Sequence, residues 1–282
     1  MEQFAVFKTI QQRISIRSYS ERPLDTTLLD DLENYIENID SGPFGTKPRL
    51  SFFNLEPLEK KELRGLGTYG FIKGASLYIL CAVDNKDGAM EDLGFCLERI
   101  ILKATSLGLG TCWLGGTFKR ASFARQMDLQ PGELLPAITP VGYPAEDINH
   151  RDQLTRLAVK AKNRKSRAEL FYGPDGKTPL GQENNNPYHD ALEAVRLGPS
   201  ASNRQPWRIS RDEKGKYHLY LMENKIYNRL MGKIRLQNID MGIAMCHFAL
   251  VAEEQNLPGM WRKTADAPVF QGLKYIATWS EQ

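Results

Sequence analysis

No stretch of the 282-residue chain approaches the roughly 18 consecutive apolar residues that a membrane-spanning helix needs. The longest candidate, Gly74 to Val83, has the length of a buried strand. The first residues, MEQFAVFKTIQQR, lack a continuous apolar core, so a secretory signal is not expected. There is no C-x-x-C: the four cysteines stand at 81, 96, 112 and 246. The four histidines (His150, His189, His218, His247) are scattered, none at metal-ligand spacing from a cysteine or another histidine. No metal site is therefore expected, and the thiols read as reduced, in a cytoplasmic protein. No G-x-x-x-x-G-K-[ST] occurs, which excludes a P-loop. No triad pattern occurs either, so no catalytic acid, base or nucleophile is assigned. A large charge surplus is also missing. The chain has 37 Lys+Arg against 34 Asp+Glu, a net of +3, which argues against a protein that coats nucleic acid.

What remains is an ordinary globular composition, 41% apolar and 25% charged, with the length of about two domains. Periodicity predicts helices over 4–14, 25–39 (capped by Asp25), 58–64, 89–107, 188–197 and 238–255. Strands are predicted over 50–55, 76–83, 137–141 and 273–278, with a hairpin over 207–222. Residues 151–167 read as a basic, helical arm and 172–187 as a Gly/Pro/Asn-rich connector. The mixture, without a regular βαβ repeat, makes the fold α+β. Asp92 to Trp113 aligns without gaps on Asp240 to Trp261. The identical pairs are Asp92/Asp240, Gly94/Gly242, Leu102/Leu250, Ala104/Ala252, Leu109/Leu257 and Trp113/Trp261. Each copy is preceded by a helix running into a Gly-Pro turn (Gly42-Pro43, Gly198-Pro199) and followed by a strand. This points to an internal duplication, although two similar amphipathic helices would look much the same.

Four segments carry chemistry. Gly65-Leu-Gly-Thr-Tyr-Gly70 matches G-x-G-x-x-G literally, but it precedes a strand instead of following one, the reverse of a dinucleotide fingerprint. In Arg13-Ile-Ser-Ile-Arg17 the polar residues alternate, so an extended backbone would present two guanidiniums and a hydroxyl together as an anion site. A solvated helix end is the plainer alternative. The arm Arg151 to Arg167 nets +6 and leaves −3 for the rest. So local a patch suits one phosphate better than a nucleic-acid groove, and it lacks the aromatics that stack on single strands; a solvated face would read the same. In Gly198-Pro-Ser-Ala-Ser-Asn-Arg-Gln-Pro-Trp207, Asn203 and Gln205 each offer donors and acceptors from a tight turn, as the mixed edge of a heteroaromatic ring requires. A structural Asx/Ser turn is the alternative here.

This last string resembles the P-S-x-x-N-x-Q-P-W signature of the FMN-dependent nitroreductase family. Arg13 to Arg17 is similar to that family's phosphate-binding element, Gly108-Leu-Gly-Thr-Cys-Trp-Leu-Gly-Gly116 to its flavin-side turn, and Lys162-Asn-Arg-Lys-Ser to its late basic element. The resemblance implies a nitroreductase-like α+β fold with a mixed, mostly antiparallel sheet flanked by helices. It implies FMN as cofactor, NADH or NADPH as electron donor, and ping-pong reduction of a small nitroaromatic, quinone or similar acceptor. It assigns Arg13, Ser15, Arg17, Lys162, Arg164 and Lys165 to the phosphate. Pro199, Ser200, Ala201 and Asn203 would line the isoalloxazine, with Gln205 supporting Asn203. Trp113, Leu114, Gly115 and Gly116 would flank the ring, with Tyr69 and Gly70 as a further wall. The first half lacks the Asn/Gln turn, having Gly42-Pro-Phe-Gly-Thr-Lys-Pro-Arg49 instead, and the second half lacks a glycine turn and an R-x-S-x-R. The chain therefore resembles the family's duplicated single-chain subgroup. Its halves would be 1–170 and 171–282, interlocked as a monomeric pseudo-dimer with one flavin site, without nucleic-acid or membrane partners. A flavin-binding protein without turnover, or dehalogenation by the same scaffold, is the alternative.

Overall fold

A computed structural model describes residues 4–55, 71–146, 163–181, 186–224 and 232–281. Tyr69, Gly70 and Lys162, with the rest of Gly65–Gly70, the predicted helix 58–64 and the arm up to residue 162, lie outside the described residues. Two sheets form the frame. The first holds β1 (Arg49–Asn54), β2 (Leu77–Asp84), β3 (Gly110–Thr111) and β4 (Glu133–Gly142), antiparallel, in the order β1-β2-β4-β3. The second holds β5 (Phe171–Tyr172), β6 (Trp207–Arg211), β7 (Tyr217–Leu221), β8 (Met260–Arg262) and β9 (Lys274–Ser280), in the order β5-β6-β7-β9-β8. Only β5 runs parallel to its neighbour, β6. Without β5, the second sheet repeats the path of the first strand for strand.

The unbroken apolar run of β2 follows from burial on both faces. Ile79, Cys81 and Val83 enter the core beneath the helices, whereas Tyr78, Leu80 and Ala82 enter a separate cluster around Phe123. The helices are α1 (Val6–Gln12), α2 (Thr26–Glu37), α3 (Ala89–Ser106), α4 (Arg120–Gln126), α5 (Arg167–Leu170), α6 (His189–Leu197) and α7 (Leu236–Glu254). α7 is buried almost all round, as the largely apolar stretch from Met241 to Ala252 requires. It crosses α3 at backbone contact. A Cβ built on Gly94 would lie 2.2 Å from the Ile239 carbonyl oxygen, and one on Gly242 would lie 1.9 Å from that of Glu91. Ile239 stands to Glu91 as Gly242 stands to Gly94 in the aligned repeat, so the contact is reciprocal, as in an isologous interface.

The repeated aspartates serve equivalent turns. Asp92 accepts the Phe44 and Thr46 N–H groups (2.8 and 2.7 Å), and Asp240 accepts the Ala201 N–H (2.9 Å). The N-terminal helix crosses over to the second core. Val6 and Ile10 of α1 pack into the second core with Trp207, Phe248 and Trp261, as do Leu170 and Phe171. The Glu254 carboxylate at the end of α7 accepts the Val6 and Phe7 N–H groups (2.7 and 3.0 Å), a cap that α1 lacks in its own sequence. Several boundaries differ from those read in the sequence. α1 stops at Gln12, β4 begins four residues earlier than predicted, and α4 and β8 were not anticipated. Asp25 occupies the N-cap position of α2 but does not cap it, because its carboxylate is held by Arg22 Nη2 (2.9 Å) and the Tyr143 hydroxyl (2.7 Å).

Candidate functional site

After α1 the chain extends along the edge of the first sheet. Ser15 bridges Thr111 in parallel, and the Ile16 N–H donates to the Thr111 carbonyl (2.8 Å). Ile16 turns toward Gly110, where a Cβ would lie 2.9 Å from its side chain. Arg13 is only 8% exposed, yet its Nη1 has no hydrogen-bond partner among the described residues; the same holds for Nε and Nη1 of Arg17. The Arg17 guanidinium lies 5.2 Å from the Phe71 ring centre. Buried guanidinium donors without acceptors are costly, and an anion at this place would satisfy them.

Arg164 converges on the same region. Burial, then the charges of Arg13 and Arg196, depress its pKa to about 10. Its Nη1 donates to Asn203 Oδ1 (2.8 Å), and its Nε and Nη2 to the Leu197 carbonyl (3.2 and 3.1 Å). The late basic element and the Asn/Gln turn are thus bonded to each other. Lys165 donates its backbone N–H to Gln205 Oε1 (2.7 Å), Asn203 Nδ2 donates to the Asn163 carbonyl (2.8 Å), and Gln205 Nε2 reaches Asn203 Oδ1 (3.2 Å). The Ser200 hydroxyl oxygen accepts the Gln205 N–H (2.8 Å). Ser202, Asn203 and Gln205 all have φ near +50°, a left-handed run that L side chains resist and that persists only where the surroundings enforce it. Pro199 and Ser200 are half-buried and face the start of this turn.

The glycine turn forms an opposite wall. Leu114 pairs with Ile138, which fixes the backbone of Trp113 and Gly115 on either side. The Arg120 guanidinium, at the start of α4, donates to the carbonyls of Gly115, Leu135 and Pro136. A Cβ on Gly115 would lie 2.7 Å from the Leu236 side chain at the start of α7, so the glycine lets the turn pack closely on that helix. The Gly115 and Gly116 N–H groups make no hydrogen bond among the described residues. Trp113 and Ala201 pack against the same core, which includes Leu236 and Ile239, so both walls meet over the first turns of α7.

Behind the walls lies a polar group the sequence did not reveal. Glu98 on α3 and His247 on α7 are both 0% exposed, with His247 Nε2 2.8 Å from Glu98 Oε1. Trp113 donates its indole N–H to Glu98 Oε2 (2.6 Å), and Arg13 Nε stands 4.0 Å from Oε1. His247 Nδ1 lies 2.8 Å from the Ala194 carbonyl oxygen on α6. The one available signal was an acid and a histidine inside mostly apolar helical stretches, FCLERIIL and MCHFAL. Arg120 and Asp240 were also missed as supporting residues. Asp240 Oδ2 is buried without a partner among the described residues, and burial raises its carboxyl from 3.8 to about 8.

Comparison with known proteins gives this arrangement a family. The family described as "Putative TM nitroreductase" matches residues 5–252. A relative from Methanothermobacter thermautotrophicus, named "Putative NADH dehydrogenase/NAD(P)H nitroreductase", is 30% identical over 160 residues, covering 52% of this chain and 81% of its own. The solved structure of a "putative nitroreductase" from Thermotoga maritima superposes with a TM-score of 0.60 at 20% identity, over 99% of this chain and 94% of that one. A nitroreductase with bound FMN from Bacteroides fragilis covers 52% of this chain and 92% of its own, at 21% identity and a TM-score of 0.41. With a match over nearly its whole length and a fold shared end to end, the chain belongs to this nitroreductase family.

Proposed function

We propose that the protein is an FMN-dependent NAD(P)H oxidoreductase that reduces nitroaromatic, quinone or similar small acceptors by ping-pong turnover. The observation that carries this reading is the set of buried guanidinium donors on Arg13 and Arg17 that lack acceptors among the described residues, beside a desolvated Arg164. A phosphate monoester fits them in charge and in its number of acceptor oxygens. Arg13, Ser15, Arg17 and Arg164 would hold the phosphate, with Lys162 and Lys165 contributing from the same basic element. Ser200, Ala201 and Asn203 on one side and Trp113 to Gly116 on the other would hold the ring, and Pro199 would fix the entry into the turn. Tyr69 and Gly70 are assigned by resemblance alone.

When bound, FMN supplies the hydride chemistry, and the protein supplies position and electrostatics. Asn203 is held by Arg164, Gln205 and the Asn163 carbonyl, so the direction of its amide is fixed. The Gly115 and Gly116 N–H groups, unbonded among the described residues, would offer donors to a ring atom that becomes electron-rich. No side chain need act as acid or base. The two sheets of matching order and the reciprocal glycine contact support descent from a duplicated half, the single chain taking the place of a dimer. The four buried free thiols suit the cytoplasm.

The test is the absorption spectrum of the pure protein, followed by anaerobic addition of NADH or NADPH. A flavin spectrum that bleaches, and recovers when a quinone or nitroaromatic is added, is expected. A bound flavin that no nicotinamide bleaches would make this a flavin-holding protein. Failure to take up FMN would remove the reading altogether.

A further inference from the structure

The pair Glu98–His247 joins four elements that are far apart in sequence. Glu98 holds Trp113 of the glycine turn, and His247 holds the last turn of α6 through Ala194. The Asn203 turn springs from that end of α6: a Cβ on Gly198 would lie 3.6 Å from His247 Nδ1. Both walls of the site are therefore tied to one buried pair.

The hydrogen bonds also count the protons. Both ring nitrogens of His247 face oxygen: a carbonyl at Nδ1 and a carboxyl at Nε2. A neutral ring has one N–H, and the Ala194 carbonyl can only accept. The contact to Glu98 then requires a second proton, on the ring or on the carboxyl. In either form the pair as a whole carries no net charge. This matters because Arg13 Nε stands 4.0 Å from the same carboxyl oxygen, while Arg13 Nη1 has no partner among the described residues. A bare carboxylate at that distance would draw the guanidinium and cancel its charge. Arg164, which feels the charge of Arg13, carries the same sign and does not compete for it.

We propose that His247 is a positioning residue that neutralises Glu98, so that Glu98 orients the Trp113 indole without consuming the charge of Arg13, which stays free for the phosphate of the flavin nucleotide. The proposal rests on the reading of this site as an FMN site. It separates two functions of one carboxyl: an acceptor for Trp113 and a potential rival for Arg13.

The test compares FMN with riboflavin, which has the same ring and no phosphate, by fluorescence titration of the full-length apoprotein. In His247→Gln the amide still donates to Glu98 but brings no proton to share, leaving a full carboxylate beside Arg13. The ratio of FMN to riboflavin affinity is expected to fall about tenfold, the loss of one charge-assisted contact, while riboflavin affinity by itself reads any movement of the walls that the lost Ala194 contact causes. Adding Glu98→Gln to that variant removes the carboxylate and should restore the ratio. Glu98→Gln alone keeps an acceptor for Trp113 and a donor for His247, and should leave the FMN-to-riboflavin ratio at the wild-type value. An unchanged ratio in His247→Gln, failure of the double variant to recover it, or a fallen ratio in Glu98→Gln would overturn the proposal. If His247→Gln does not fold, Glu98→Gln still decides. Wild-type protein that binds neither flavin would refute the FMN reading instead.

Discussion

Gly242→Ala puts one methyl group where α3 and α7 touch. Its carbon would lie 1.9 Å from the Glu91 carbonyl oxygen and 2.8 Å from the Phe95 nitrogen, both backbone atoms of α3. Neither atom can rotate away, so the helices must part by about an ångström to reach ordinary contact. Overpacking of this kind costs roughly 1–3 kcal/mol, and a backbone obstacle belongs at the upper end. Alanine recovers about 1 kcal/mol through its better helix propensity. The net expectation is a loss of about 2 kcal/mol, or a fall in Tm of roughly 4–8 °C for a chain of this size. Gly94→Ala meets the Ile239 oxygen at 2.2 Å and should behave similarly. Because one separation of the helices relieves both clashes, the double variant should lose less than the sum of the two. Gly181→Ala is the control: it is exposed, and its Cβ would meet nothing within 4 Å. Calorimetry and urea unfolding check all four. A Gly242→Ala protein as stable as the Gly181→Ala control would refute the reciprocal backbone contact and the pseudo-twofold packing built on it.

Trp113→Phe keeps an aromatic ring but removes the donor to Glu98 Oε2. It should cost about 1–3 kcal/mol of stability in urea unfolding, the price of an unmade bond at a buried polar atom. Asp240, raised from 3.8 to about 8 by burial, holds a proton in the fold that the unfolded chain has already released above pH ~4. Its contribution is complete below the unfolded value and is lost as pH rises toward 8. Thermal melts should therefore show a decline over that window that Asp240→Asn flattens. Asn203→Ala removes the acceptor of Arg164 Nη1 and places alanine at φ +52°, so FMN should dissociate faster on dilution. Cys112→Ser, a small exchange beside the Trp113 carbonyl, should leave flavin retention nearly unchanged in the same assay.

The sequence by itself determined what is local. The apolar run of β2, the apolar centre of α7, the tight turn around Asn203 and the repeated Asp and Gly positions all follow from the chemistry of neighbouring residues, and they were legible as such. The family was legible because its recognition elements are short contiguous strings. Length periodicity did not find α4 or β8, because each is held by tertiary contacts: Arg120 by three carbonyls, β8 by pairing with β9. Nor did it show that α1 belongs to the second core, since its cap, Glu254, comes from the far end of α7. Glu98 and His247 look unremarkable in isolation. Only the crossing of α3 over α7 brings them to 2.8 Å, excludes water from both and makes their shared proton a matter of charge balance at Arg13. Residue type and spacing thus supplied the groups that can bind an anion and a ring. Which of them lie buried without partners, and which cancel one another, depends on distances between residues some 149 positions apart, and only the folded chain fixes those.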